Sequence, residues 1–189
     1  GGFIAAGRQY SFATTDYDLL VLKLNSDGEL EWHKVFDGEY QHEDVARSIH
    51  QTSDGGYIIL GNTTSFGAGE YDVWLIKTDL DGNEMWNKTL GETFTDFGYS
   101  IQLTPDGGYI IIGVTDSFVP GSRDVWLIKT DANGNDEWNN SFGGTEYDCG
   151  HSVQQTTDGG YIITGFTRSY GAGGMDLLLI KTDYEGEVE

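Results

Sequence analysis

The chain has 189 residues, enough for one domain with a substantial core. Its 10 Lys and Arg against 31 Asp and Glu give a formal charge of −21, which argues against nucleic acid and anionic lipid as partners. No apolar run approaches the roughly 18 residues of a membrane span, and an unstructured acidic chain is excluded because 13% of the residues are aromatic and the apolar runs are patterned.

Taken in chain order, the sequence repeats itself. Gly1-Gly2-Phe3-Ile4 is a first, weak copy of a block that returns as Gly55-Gly56-Tyr57-Ile58-Ile59, again at Gly107 and again at Gly159. A second block, Asp72-Val73-Trp74-Leu75-Ile76-Lys77-Thr78-Asp79, returns at Asp124 and Asp176 and more loosely at Asp18. Trp32, Trp86 and Trp138 mark a third block, and Ser48, Ser100 and Ser152 a fourth. The spacing from Gly55 to Gly107 to Gly159 is 52 residues, dividing the chain approximately into 1–54, 55–106, 107–158 and an incomplete 159–189. The start falls inside a repeat, and the expectation is a piece of a longer or processed polypeptide.

Each repeat holds four segments, A to D, represented by 47–52, 57–62, 73–78 and 84–90, all rich in Ile, Val, Leu, Tyr, Trp and Thr. B and C are apolar at nearly every position, as strands buried on both faces are. A alternates more, and D is polar around its Trp. Asp54-Gly55-Gly56 and its copies join A to B, and Asp81-Gly82-Asn83 and Asn133-Gly134-Asn135 join C to D as tight hairpins. Pro105 and Pro120 fall in predicted turns. Four antiparallel strands per repeat predict an all-β chain, a single β-propeller over 1–189 with four-stranded blades. The strand content reads BCD, ABCD, ABCD, ABC, a partial arc of a ring, so further blades are expected from missing sequence or a second chain.

The order of motifs resembles kelch-type propellers: 100–104, the Gly-rich hairpin and strand of 106–113, then 124–130, a turn and Trp138. The double Gly precedes strand B instead of ending it. The likeness is closer to the Asp-Gly-Gly-Tyr-Ile-Ile repeats of prokaryotic, often archaeal, secreted and surface proteins. It covers the whole chain and implies an extracellular or cell-surface location more than an activity.

Residues that recur in every repeat belong to the fold, so chemistry is sought among those that do not. His50 and His151 fall in or beside segment A, which lines the channel of a propeller. Asp44, Asp96 and Asp148 stand four residues before a Ser of segment A. They are read as loop carboxylates bonding backbone amides, with an acidic rim for a cation or basic ligand as the sharper alternative. Lys77, Lys129 and Lys181 lie in apolar strands and need carboxylate partners, expected between adjacent blades. Asp79, Asp81, Asp131 and Asn133 resemble the start of a calcium loop. They lack its distal ligand, so a plain hairpin is the better reading and calcium the weaker one. Cys149, the single cysteine, permits no intrachain disulfide and reads as a small core residue. Asn62, Asn87 and Asn139 open glycosylation sequons, in keeping with a secreted glycoprotein. No nucleophile, acid–base pair or phosphate loop stands out, and no catalytic residue or resident cofactor is assigned. The expectation is a non-enzymatic module for protein or carbohydrate binding, adhesion or surface assembly. The alternatives are a polysaccharide lyase or hydrolase with a site over the channel, and an architectural subunit of a fibre or coat.

Overall fold

The computed structural model describes residues 1–13, 15–38, 42–118 and 122–189; Pro120 lies outside them. Strands alone make up the regular structure of these residues, in four antiparallel sheets that follow one another along the chain. The first sheet holds β1 (Phe3–Ser11), β2 (Asp16–Leu24) and β3 (Leu30–Phe36). The second holds β4 (Asp44–Gln51), β5 (Tyr57–Thr63), β6 (Asp72–Thr78) and β7 (Glu84–Leu90). The third holds β8 (Asp96–Leu103), β9 (Tyr109–Thr115), β10 (Asp124–Thr130) and β11 (Asp136–Phe142). The fourth holds β12 (Asp148–Gln155), β13 (Tyr161–Thr167) and β14 (Asp176–Thr182). In each, neighbours in sequence are neighbours in space, and no sheet closes on itself. The all-β expectation and the three, four, four and three strands per sheet agree with the sequence.

The first strand of each full repeat starts earlier than its sequence predicts, at Asp44, Asp96 and Asp148. The cause is a β-bulge. Ala46 lies opposite Gly61 and Ser48 opposite Leu60, so Arg47 is an extra residue, as are Tyr99 and His151 in the later copies. An inserted residue breaks the alternation of period two and hides the start of the strand from pattern reading.

Every residue of β5, β6, β9 and β10 is buried. One face of the second sheet (Ile58, Leu60, Val73, Leu75) packs on Ile101, Tyr109, Ile111, Trp126 and Ile128 of the third. The other face (Tyr57, Ile59, Trp74, Ile76) packs on Leu19, Val21 and Phe36 of the first. The third sheet meets the fourth in the same way. Each such side chain contributes about 1.5–3 kcal/mol by leaving water.

Two devices repeat along this stack. The first is a clamp within each sheet. Lys77, only 5% exposed, donates to Asp54 Oδ2 at 2.8 Å and to the Thr78 carbonyl at 2.9 Å. Lys129 meets Asp106 at 2.8 Å and Glu137 at 2.8 Å, and Lys181 meets Asp158 at 3.0 Å and Glu189 at 2.9 Å. The lysine partner is therefore the hairpin Asp of its own sheet, not a group on the adjacent one. The same contact explains the double glycine. Gly55 takes a positive φ of 87° to complete the turn. A Cβ on Gly56 would collide with the Thr78 carbonyl oxygen and stand 2.8 Å from Lys77 Nζ.

The second device joins one sheet to the next. The half-buried Trp32 packs against Tyr57 with ring centroids 5.9 Å apart, Trp86 against Tyr109 at 6.4 Å and Trp138 against Tyr161 at 6.0 Å. Each indole also covers the turn glycine of the following sheet, as Trp32 covers Gly82, where a Cβ would stand 2.8 Å from the ring. Trp86→Ala is expected to cost about 3 kcal/mol in equilibrium denaturant unfolding, the usual loss for truncating a packed aromatic. A loss within error of zero would mean that the indole contributes nothing to the junction between sheets.

Candidate functional site

The bulges bring forward residues that do not recur. β4, β8 and β12 lie beside one another, with β1 next to β4. Their bulges carry Arg47, Tyr99 and His151 at equivalent positions. The repeats agree where strands pack and diverge at the bulge, which re-aims a side chain out of the ladder. Arg47 and His151 are exposed and Tyr99 is half-buried.

From this row an aromatic and guanidinium network spans all four sheets at the end where Asp44, Asp96 and Asp148 stand. Arg8 lies 4.1 Å over the Tyr17 ring. The Tyr71 hydroxyl donates to Glu43 at 3.1 Å, and the Tyr71 ring lies 4.8 Å from Phe97. The Tyr99 ring is 5.1 Å from His151, which is 5.6 Å from Phe166. Arg123 bonds Asp116 at 3.0 Å and faces Tyr147 at 5.8 Å. Cys149 Sγ is 3.8 Å from His151 Nε2. Burial is the main cause raising the Tyr99, Tyr147 and Cys149 pKa values, so phenols and thiol stay protonated at neutral pH. Cys149 is fully buried, as a core residue would be. The assembly presents rings, hydroxyls and guanidinium groups, which suits recognition of a ligand by stacking and hydrogen bonds.

Asp44, Asp96 and Asp148 do not form an exposed acidic rim. Each opens its strand and is at most 1% exposed. Asp44 Oδ2 accepts from Ser65 at 2.8 Å and Asp96 Oδ2 from Ser117 at 2.9 Å. Asp148 accepts from Ser169 Oγ and the Gly144 amide, and from Thr167 Oγ1. The carboxylates tie the connecting loops to the sheet, so the turn-bonding reading replaces the rim. Their titration differs with their donors. Burial raises the Asp44 pKa, and its Oδ1 is buried without a hydrogen-bond partner among the described residues. In Asp148 burial is outweighed by the Ser169 and Thr167 hydroxyls, and its pKa is lowered.

The remaining predicted residues fall elsewhere. His50 lies opposite Ile58 in the β4–β5 ladder, three residues beyond the bulge, so it does not share a position with His151. Asp79 Oδ1 accepts from the amides of Asp81 at 2.9 Å and Asn83 at 2.8 Å, and Asp131 does the same for Asn133 and Asn135. These loop carboxylates are occupied by their own turns. Among the described residues no group of three or more His, Cys, Asp or Glu is gathered to hold a metal. Asn62 is buried: its Nδ2 donates to the Gly98 carbonyl at 3.3 Å and its Oδ1 accepts the Gly98 amide at 2.8 Å. A glycan there is incompatible with this contact between sheets. Asn87 and Asn139, on the outer strands, accept from the indoles of Trp74 at 3.3 Å and Trp126 at 3.2 Å. Sequence reasoning missed Tyr71, Tyr99 and Tyr147. Their signal was failure to repeat, and Tyr99 stands one repeat before His151. No protein-family model matches the chain, and no curated protein is significantly similar to it.

The carboxylates divide into two titrating sets. Burial, then Asp37 and Asp16 beside it, raises Asp18 to about 6, and burial also raises Asp72 and Asp124. Asp54 is lowered to about 2, chiefly by Lys77, and Asp158 to about 2 by Thr156 and Lys181. Asp106 reaches about 2 because Lys129 and Thr104 outweigh its burial. An unfolded Asp titrates near 3.9. Between about 4 and 6 the folded chain holds protons the unfolded chain has lost, so stability falls as pH rises. Between about 4 and 2 the unfolded chain takes up protons first, so stability falls as pH drops. Urea unfolding at dilute concentration across pH 2–7 should therefore show a maximum near pH 4. A monotonic rise in stability from pH 4 to 7 would contradict the burial of the raised group.

Proposed function

We propose that the four sheets are consecutive blades of a β-propeller, and that the chain is a non-enzymatic binding module of a secreted or surface protein. The observation that carries the reading is the segregation of residues. Those that recur hold the sheets together, whereas those that occur once gather on adjacent first strands at one end of the stack. Side-by-side first strands suit a radial arrangement in which they face a central axis. The ligand then lies over that axis, in contact with several blades. The Asp-Gly-Gly-Tyr-Ile-Ile likeness and the sequons at Asn87 and Asn139 on outer strands support a location outside the cell.

Gel retention of the chain against a panel of polysaccharides and immobilised proteins tests this reading. Retention by at least one ligand with no release of cleaved product is expected. Release of unsaturated or reducing ends would make the module an enzyme.

Ring formation also predicts further blades. Leu177 and Leu179 are 84% and 64% exposed, whereas the equivalent Val73 and Leu75 are 0% exposed. At the other end Phe3 is 61% exposed where the equivalent Tyr57 is 4%. These faces match the two sides of an internal junction. They are covered by blades from further sequence or from a second copy, and two such arcs make a ring of about seven. Sedimentation should show that the 189-residue chain self-associates, and that Leu177→Asp with Leu179→Asp prevents it. A compact monomer with both faces covered would overturn the ring.

A further inference from the structure

The chain has four arginines, Arg8, Arg47, Arg123 and Arg168, one in a strand or connecting loop of each sheet and all at the end of the stack that carries the bulges. The lysines are elsewhere: Lys23, Lys77, Lys129 and Lys181 lie near the opposite end of the third-segment strands, and Lys34 and Lys88 on the outer strands. Guanidinium has been kept apart from ammonium. Arg123 is bonded to Asp116. Arg8, Arg47 and Arg168 are exposed and have no ion pair among the described residues, in a chain with 31 carboxylates. Arg8 lies over the Tyr17 ring, and none of the three guanidinium groups is spent on a carboxylate among the described residues. Glu43 is engaged by the Tyr71 hydroxyl, which keeps one nearby acid occupied.

We propose that the bulge row Arg47, Tyr99 and His151, flanked by Arg8 and Arg168, binds a carboxylate-bearing carbohydrate, a run of hexuronate residues. The inference rests on the binding-module reading and names its ligand class. A hexuronate offers a planar carboxylate that guanidinium grips with two parallel hydrogen bonds, and an apolar C–H face that lies on a ring. Both group types stand on the row, with the Tyr99 and His151 rings 5.1 Å apart between the guanidinium groups of Arg47 and Arg168. A basic partner has no reason to seek the one place where all the guanidinium groups stand. A nucleic acid or polyphosphate carries too dense a charge for a chain of −21. A neutral glycan would use the rings and leave the arginines idle.

The test is calorimetric titration of the 189-residue chain with a galacturonate tetramer, a galactose tetramer and a Glu-rich hexapeptide. The galacturonate tetramer is expected to bind, more weakly as salt rises, and the galactose tetramer at least about tenfold more weakly, the scale of a lost charge-assisted contact. Arg47→Ala and Tyr99→Ala should each weaken binding by about tenfold, Arg47→Lys should recover only part, and Lys88→Ala on the outer strand should change nothing. Circular dichroism checks that each variant is folded; Arg47 is exposed, so its removal leaves the core intact. Equal binding of the two tetramers, or galacturonate binding indifferent to Arg47, sinks the ligand class while leaving the module reading in place. Tighter binding of the hexapeptide sinks the carbohydrate assignment in the same way. Absence of any retained ligand in the wider panel would sink the module reading itself.

Discussion

Four central strands, β5, β6, β9 and β10, have no face in water, and this burial is the constraint on which the rest of the structure depends. A sheet that is apolar on both sides cannot stand alone; it needs a neighbour on each side. The four repeats satisfy this by using one pair of surfaces over and over. Ile58, Leu60, Val73 and Leu75 meet the following sheet, and Tyr57, Ile59, Trp74 and Ile76 meet the preceding one. The outer Trp closes each junction over a turn glycine that leaves room for it.

Such depth makes polar groups expensive, and the repeat supplies partners for them. The ammonium of Lys77 is answered by Asp54 and by the Thr78 carbonyl. This single arrangement accounts for four features of the repeat at once: the Asp of the hairpin, its two glycines, and the Lys of the third strand. The buried Asp at the start of each first strand is answered by a hydroxyl two residues past the second strand, as Asp44 is by Ser65. Where the answer is incomplete, as at Asp44 and Asp72, burial raises the carboxyl pKa. Two sets of carboxylates thus titrate in opposite directions from one architecture.

A scaffold so thoroughly repeated leaves little room for individuality, and the bulge supplies it. An inserted residue has no partner in the strand ladder, so its identity is free to vary from sheet to sheet. Arg47, Tyr99 and His151 occupy that position in three successive sheets. The aromatic and guanidinium groups around them share the same end. Repetition builds the frame, and the break in repetition sets the side chains at one end of the stack.

Much of this was legible in the residues alone. The 52-residue phase of Gly55, Gly107 and Gly159, the apolar runs after them and the Asp-Gly turns determine four short strands per repeat, because strand length, double burial and tight turns are local demands. The same logic yields the strand count of each sheet and the inter-sheet place of Trp86 and Trp138. Other features depended on which groups become neighbours, which only tertiary structure decides. The partner of Lys77 could not be read from its distance to Asp72, because a hairpin brings Asp54 across from another strand. Asn62 satisfies a sequon as a tripeptide but is sealed by Gly98 of the next sheet, 36 residues away. The row of Arg47, Tyr99 and His151 was hidden because a bulge is a property of strand pairing, and the bulged strands become neighbours only when the sheets stack. Sequence determined the strands through local geometry; only the packing of one sheet on the next decided which side chains meet.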